Sequence, residues 1–170
     1  MVGSCSREKP VAPVQRAEPV APRHAVVTQP PSNSYEEAVN RFRIAPRFRF
    51  TFNDGEGSLV RPRQGQEQVK FHVTRGADRG EWTAEVKPTG VVWTKDGKHA
   101  TDVPQSLQTL YQRLTIFPDP QKKEGAAQRK GDAFEFTDAN GGDRYAVRVD
   151  GSGNIKEMRI GQQTIGITPG

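Results

Sequence analysis

The sequence predicts an α+β fold, a curved antiparallel β-sheet that is half-barrel-like, with two helices packed on one face. Three observations lead there. Most apolar residues fall in short runs of period two, divided by Gly, Asn and Asp at turn spacing. Two segments repeat their apolar residues at helical spacing instead, one ahead of the strands and one between two groups of them. The strands are too many for a flat open sheet, so the sheet must curl.

Residues 1–33 stand apart from this pattern. Pro10, Pro13, Pro19, Pro22, Pro30 and Pro31 recur there among Ala, Val, Glu and Arg. Each proline fixes φ and removes a backbone donor, so neither helix nor central strand is expected. The stretch reads as a disordered, extended tether reaching up to ~3.1 Å per residue, and residues 34–170 read as a single α+β domain.

Within that domain, Ser34-Tyr35-Glu36-Glu37 has the form of a capping box and predicts a helix over Tyr35–Ile44. Pro46 stops it, because the residue before a proline is pushed out of the α region. Arg47-Phe48-Arg49-Phe50-Thr51-Phe52 then alternates strictly, with three phenylalanines on one face and Arg47, Arg49 and Thr51 on the other. Strands follow at Ser58–Arg61, Gln68–Arg75, Glu81–Lys87 and Val91–Lys95. Turns at Asn53-Asp54-Gly55, Gly76-Ala77-Asp78 and Pro88-Thr89-Gly90 make an antiparallel meander the economical connection. The period changes at Val103, Leu107, Leu110, Tyr111 and Leu114, predicting a helix over Val103–Ile116 with Asp102 as N-cap and Pro104 in its first turn. Pro118 and Pro120 end it, and Gln121–Lys130 reads as a charged, mobile loop. Strands resume at Ala133–Thr137, Arg144–Asp150, Asn154–Ile160 and Gln162–Thr168, with hairpin turns at Asn140-Gly141-Gly142 and Asp150-Gly151-Ser152-Gly153.

Composition excludes several function classes. No run approaches the ~20 apolar residues of a membrane-spanning helix. A single cysteine excludes an internal disulfide framework and a multi-cysteine zinc site. The net charge of +5 favours anionic partners such as phospholipid headgroups, lipopolysaccharide or nucleic acid.

Catalysis needs converging reactive groups, and His24, His72 and His99 have no partner at ligand or triad spacing. Asp102 and Ser106 near His99 read as a helix start. No catalytic residue, metal or cofactor is therefore expected. Asp138-Ala139-Asn140-Gly141-Gly142-Asp143 and Asp150-Gly151-Ser152-Gly153-Asn154 alternate oxygen ligands with glycine, but lack the spacing and terminal glutamate of a calcium loop and read as β-turns. Arg41, Arg43, Arg47 and Arg49, followed by Arg61, Arg63 and Lys70, form the main basic cluster. Strand alternation sends Phe48, Phe50 and Phe52 to the face opposite Arg47 and Arg49, whereas a nucleic-acid platform needs rings and cations together. The cations instead suit contact with lipid headgroups, with Arg47 and Arg49 as the candidate contacts.

Val2-Gly3-Ser4-Cys5 resembles the lipobox of bacterial lipoproteins, in which an apolar residue and two small ones precede a cysteine that receives a diacylglycerol. The resemblance implies lipidation at Cys5, an upstream signal peptide, and a lipid-anchored place in the cell envelope, at the outer membrane or periplasmic face. The alternative is an ordinary exposed cysteine in a cytoplasmic protein.

The segment Val91-Val92-Trp93-Thr94-Lys95-Asp96-Gly97-Lys98 leads toward a helix, and Tyr145–Asp150 with Gly153–Ile160 form a closing hairpin. With the helix-first layout, these resemble the lipoprotein-carrier superfamily of LolA/LolB-like half-barrels and related mycobacterial lipid-binding lipoproteins. That family's fold is a curved antiparallel sheet with helices plugging its mouth, and it binds acyl chains without catalysis. The resemblance implies an acyl pocket, for which Phe50, Phe52, Trp82, Trp93 and Leu110 qualify by apolar character. Thr, Lys and Gln are frequent where the family carries bulky aliphatics. The expected function is non-enzymatic binding of an amphiphile or lipid-linked component on the concave face of the sheet. The rival expectation is a structural or protein-interaction module of the envelope, with a fully packed core and no cavity.

Overall fold

A computed structural model describes residues 34–63, 65–117, 127–139 and 142–170. The tether, Cys5 and His24 lie outside the described residues, as do most of the expected Gln121–Lys130 loop and the Asn140-Gly141 part of one hairpin turn. Among the described residues the fold is broadly α+β, dominated by one curved sheet of 11 strands with two helices.

The first helix, α1 (Tyr35–Ile44), forms with half of the expected capping box: the Ser34 hydroxyl accepts from the Glu37 amide at 3.2 Å, while the Glu37 carboxylate pairs with Arg41 at 2.8 Å. A meander follows through β1 (Arg47–Phe52), β2 (Gly55–Arg63), β3 (Gln66–Val73), β4 (Gly80–Lys87), β5 (Gly90–Lys95) and β6 (Lys98–His99). The second helix, α2 (Gln105–Thr115), leads to β7 (Gln128–Lys130), β8 (Ala133–Thr137), β9 (Arg144–Val149), β10 (Ile155–Ile160) and β11 (Gln163–Pro169). In space the order is β6-β5-β4-β3-β2-β1-β11-β10-β9-β8-β7. The two meanders are thus joined where β1 pairs with β11, with Phe48 opposite Pro169 and Phe50 opposite Ile167. Every pairing is antiparallel, and β6 and β7 end the sheet without meeting, so it is not closed.

One face is apolar across the middle of the sheet. Phe48 and Phe50 in β1 share it with Leu59, Phe71, Trp82, Met158 and Ile165 of other strands, all buried. These residues belong to one hydrophobic cluster that also takes in Val39 and Phe42 of α1 and Leu107, Leu110 and Leu114 of α2. Ring contacts mark where the helices touch strands: Phe42 to Phe48 at 4.3 Å, Tyr35 to Phe136 at 4.8 Å, and Tyr111 to Trp93 at 5.7 Å. Burying each such side chain contributes roughly 1.5–3 kcal/mol against the entropy of ordering the chain.

Several boundaries differ from expectation, each for a physical reason. Helix α2 starts at Gln105 with Pro104 as its N-cap and no side-chain cap, so Asp102 does not fill that role. Pro104 takes an extended ψ of 134°, and its carbonyl accepts from the amides of Leu107 and Gln108 at 3.0 and 3.1 Å. His99, expected in a loop, is in β6, because Asp96 (φ 49°) and Gly97 (φ 78°) make the tight turn that pairs Lys95 with Lys98. The end of the expected loop is β7, an edge strand of polar residues that carries no apolar alternation for sequence reading to detect. Strand β2 begins at Gly55 rather than Ser58, since Gly55 and Gly57 continue the ladder opposite Phe52 and Phe50.

Candidate functional site

At the end of the sheet where β1, β3 and β10 finish, a cleft of ≈ 500 Å³ opens beside the first turns of α2. Its apolar lining comes from Phe52, Val73, Leu107 and Leu110. Asp54, Arg75, Asp78, Gln105, Arg113 and Gln163 supply polar groups around it.

The walls are tied together by hydrogen bonds that follow from the strand register. The Asp54 carbonyl accepts from the Thr74 amide at 2.8 Å and the Thr74 hydroxyl at 3.1 Å, fastening the β1–β2 turn to the end of β3. Trp82 buries its ring in the core while its indole N–H donates to the Asp78 carbonyl at 2.8 Å, fixing the β3–β4 turn. On the other side, Arg113 of α2 donates to the Gln163 side-chain oxygen and lies 3.6 Å from the Asp143 carboxylate. This guanidinium spans α2, β11 and the β8–β9 turn. Arg75 is exposed and makes no ion pair with a described residue.

The candidate acyl-pocket residues divide by position. Phe52 and Leu110 line the cleft. Phe50 and Trp82 are in the core, Phe50 at 1 % exposure and with its ring 5.7 Å from that of Phe71. Trp93 is half-buried, stacked on Phe71 and edge-on to Tyr111, each at 5.7 Å. Burial pushes the phenols of Tyr111 and Tyr145 above their usual range, Glu67 adding to the first and Arg113 opposing the second. Both rings remain neutral at physiological pH.

Arg47 and Arg49 are exposed on the face opposite the phenylalanines, as alternation requires. Arg49 sits between Ser58 and Thr168, with Lys70 one strand further on. Arg61 does not join this surface. Its guanidinium turns inward over the Phe42 and Phe48 rings, at 5.7 and 5.5 Å, and donates to the Phe42 and Ala45 carbonyls. His72 contacts Glu81 across the β3–β4 pair, and His99 lies opposite Thr94. The Asp150 carboxylate accepts from the Ser152 and Asn154 amides at 2.8 and 2.9 Å, closing a tight turn. Among the described residues no three His, Cys, Asp or Glu side chains gather as metal ligands do.

Sequence reasoning missed Arg75, Arg113 and Gln163 as cleft residues. The helical period marks Arg113 only as a polar position on α2, and nothing local announces that the β10–β11 turn faces that helix. No protein-family model matches this chain, and a search of curated proteins finds no match.

Proposed function

We propose that the protein is a non-enzymatic, lipid-anchored lipoprotein of the cell envelope whose half-barrel domain receives the apolar part of an amphiphile. The two helices lie over the concave face, a reading supported by the Phe42–Phe48 and Trp93–Tyr111 ring contacts. The observation that carries the proposal is the ≈ 500 Å³ cleft, with Phe52, Val73, Leu107 and Leu110 inside it and Arg75 and Arg113 at its rim. Its size is within the range of small-molecule sites; its apolar residues suit an acyl chain and its two arginines an anionic head, with Asp54 and Asp78 also on the lining. Arg47 and Arg49 contact headgroups from the outer face, and Cys5 carries the anchor.

Titration with a fluorescent long-chain fatty acid tests the cleft. Thr109→Trp places a large ring into it from α2, and binding should weaken at least tenfold with no fall in melting temperature. Unchanged binding in that variant would sink the assignment. The anchor is tested by mass spectrometry of the N-terminal peptide from protein expressed with its full upstream reading frame. An acylated Cys5 supports it, and an unmodified N-terminus refutes it.

A second reading rests on a different observation. Leu59, Val69, Phe71, Leu114 and Ile165 are fully enclosed, which leaves the apolar face filled. On that reading the domain is a packed interaction module, and the fatty acid binds neither form.

A further inference from the structure

Large apolar side chains that stay exposed are concentrated at one end of this sheet. Among the described residues there are four of them: Ile44 at 80 %, Ile116 at 68 %, Val91 at 41 % and Val60 at 40 %. Ile44 ends α1, just ahead of β1. Val60 stands opposite Arg47, the first residue of β1, and Val91 lies beside the β4–β5 turn. Ile116 precedes Phe117, whose ring meets that of Phe42 at 4.9 Å, so the C-terminal ends of both helices come together here. The cleft is at the other end of the same strands, roughly 17 Å away along a six-residue β1.

Next to Ile44 and Val60, the exposed described side chains that lack an ion pair are cationic. Arg43, Arg47 and Arg63 are exposed and make no ion pair with a described residue. Two described carboxylates at these strand ends are engaged, Glu67 by Arg61 at 2.9 Å and Glu85 by Lys87 at 2.7 Å. Two exposed isoleucines on the side of the sheet that carries Arg43, Arg47 and Arg63 are complementary to an anionic lipid interface. Apolar tips enter the acyl boundary while arginines meet phosphates.

We infer that this end of the sheet docks on an anionic lipid surface by itself. Ile44 and Ile116 insert, Arg43, Arg47 and Arg63 contact headgroup phosphates, and the cleft points away from the bilayer. This goes beyond a covalent anchor, because it gives the domain a fixed orientation that a flexible tether cannot impose.

The test uses the full chain with Cys5→Ser, which removes any acyl anchor, and cosedimentation with vesicles of phosphatidylcholine with or without phosphatidylglycerol. The protein should sediment with the anionic vesicles and remain in solution with phosphatidylcholine alone. Ile44→Ser/Ile116→Ser should abolish sedimentation, and each Arg→Gln change at 43, 47 or 63 should weaken it about fivefold. Because all five side chains are exposed, melting temperatures should hold. Equal binding by the isoleucine variant, or equal binding to neutral vesicles, overturns the proposal. So does a parent dimer that becomes monomeric in the isoleucine variant, which would assign this end to a second copy of the chain. Thr109→Trp should sediment like the parent, so failure of the cleft reading and failure of lipid docking are distinguishable.

Discussion

At Gly57 the sheet has no room for a side chain. This residue stands between Phe50 of β1 and Phe71 of β3 in the ladder, and a Cβ there would overlap the Lys70 carbonyl and the Phe50 ring. Gly57→Ala should therefore destabilise the domain by about 2 kcal/mol in chemical denaturation. Gly151→Ala, where a Cβ meets nothing, should be neutral or slightly stabilising. Arg61 makes a second demand at single-residue level. Its side chain is only 11 % exposed, it pairs with Glu67 at 2.9 Å, and it satisfies two carbonyls at the end of α1 at 3.1 and 3.0 Å. Arg61→Met keeps the bulk but orphans those groups, and should cost about 2 kcal/mol. Lysine should rescue little, because one ammonium cannot reproduce the planar fork between two rings. Neither role is legible in the sequence. Gly57 falls just outside the expected Ser58–Arg61 strand and Arg61 reads as one more residue of the basic cluster, since both roles depend on which ring crosses which strand.

Strand and helix identities were more accessible than their limits. The alternation of Arg47–Phe52 and the period of Leu107, Leu110 and Leu114 translate directly into burial on one side. Edge strands escape such reading because they bury nothing. β6 and β7 are two and three residues long and carry Lys98, Arg129 and Lys130, which discourages pairing with another chain. Next to that second edge, electrostatics holds strands together. Asp132, just before β8, lies 2.8 Å from the Lys156 ammonium of β10 and 2.9 Å from the Arg148 guanidinium of β9. Hydrogen bonds from Lys156 and then Arg148 draw its carboxyl down to about 2 from an ordinary 3.8. A depressed carboxylate stabilises the folded state fully above its unfolded pKa and loses that contribution as pH falls toward the folded one. Melting temperature should accordingly decline between about pH 4 and pH 2. Asp132→Asn should be less stable at neutral pH and show a shallower acid decline. A parallel decline in both proteins would show that the network does not act this way.

For the whole molecule, the open curved sheet was foreseeable from strand number and meander spacing, whereas the strand order was not. Local turns dictate each hairpin, but the register of Phe48 with Pro169 is set only when two distant meanders meet. The cleft was partly legible for the same reason: Phe52 and Leu110 advertise themselves by apolar character, while Arg75 and Gln163 reach it through topology. Removing residues 163–170 should abolish cooperative unfolding and near-ultraviolet dichroism rather than merely lower the melting temperature, because β1 and β10 would both lose a partner. Retention of a sharp transition would mean that one meander folds alone. The β1–β11 pairing also bears on how the chain is made. Of the eleven described strands, the last in the chain lies inside the sheet, between β1 and β10. Synthesis therefore delivers two half-sheets, each with an unpaired apolar edge, and neither can be completed until Gln163–Pro169 has emerged. A nascent chain of this protein therefore lacks the pairing that joins its two meanders for nearly the whole time it takes to translate the domain.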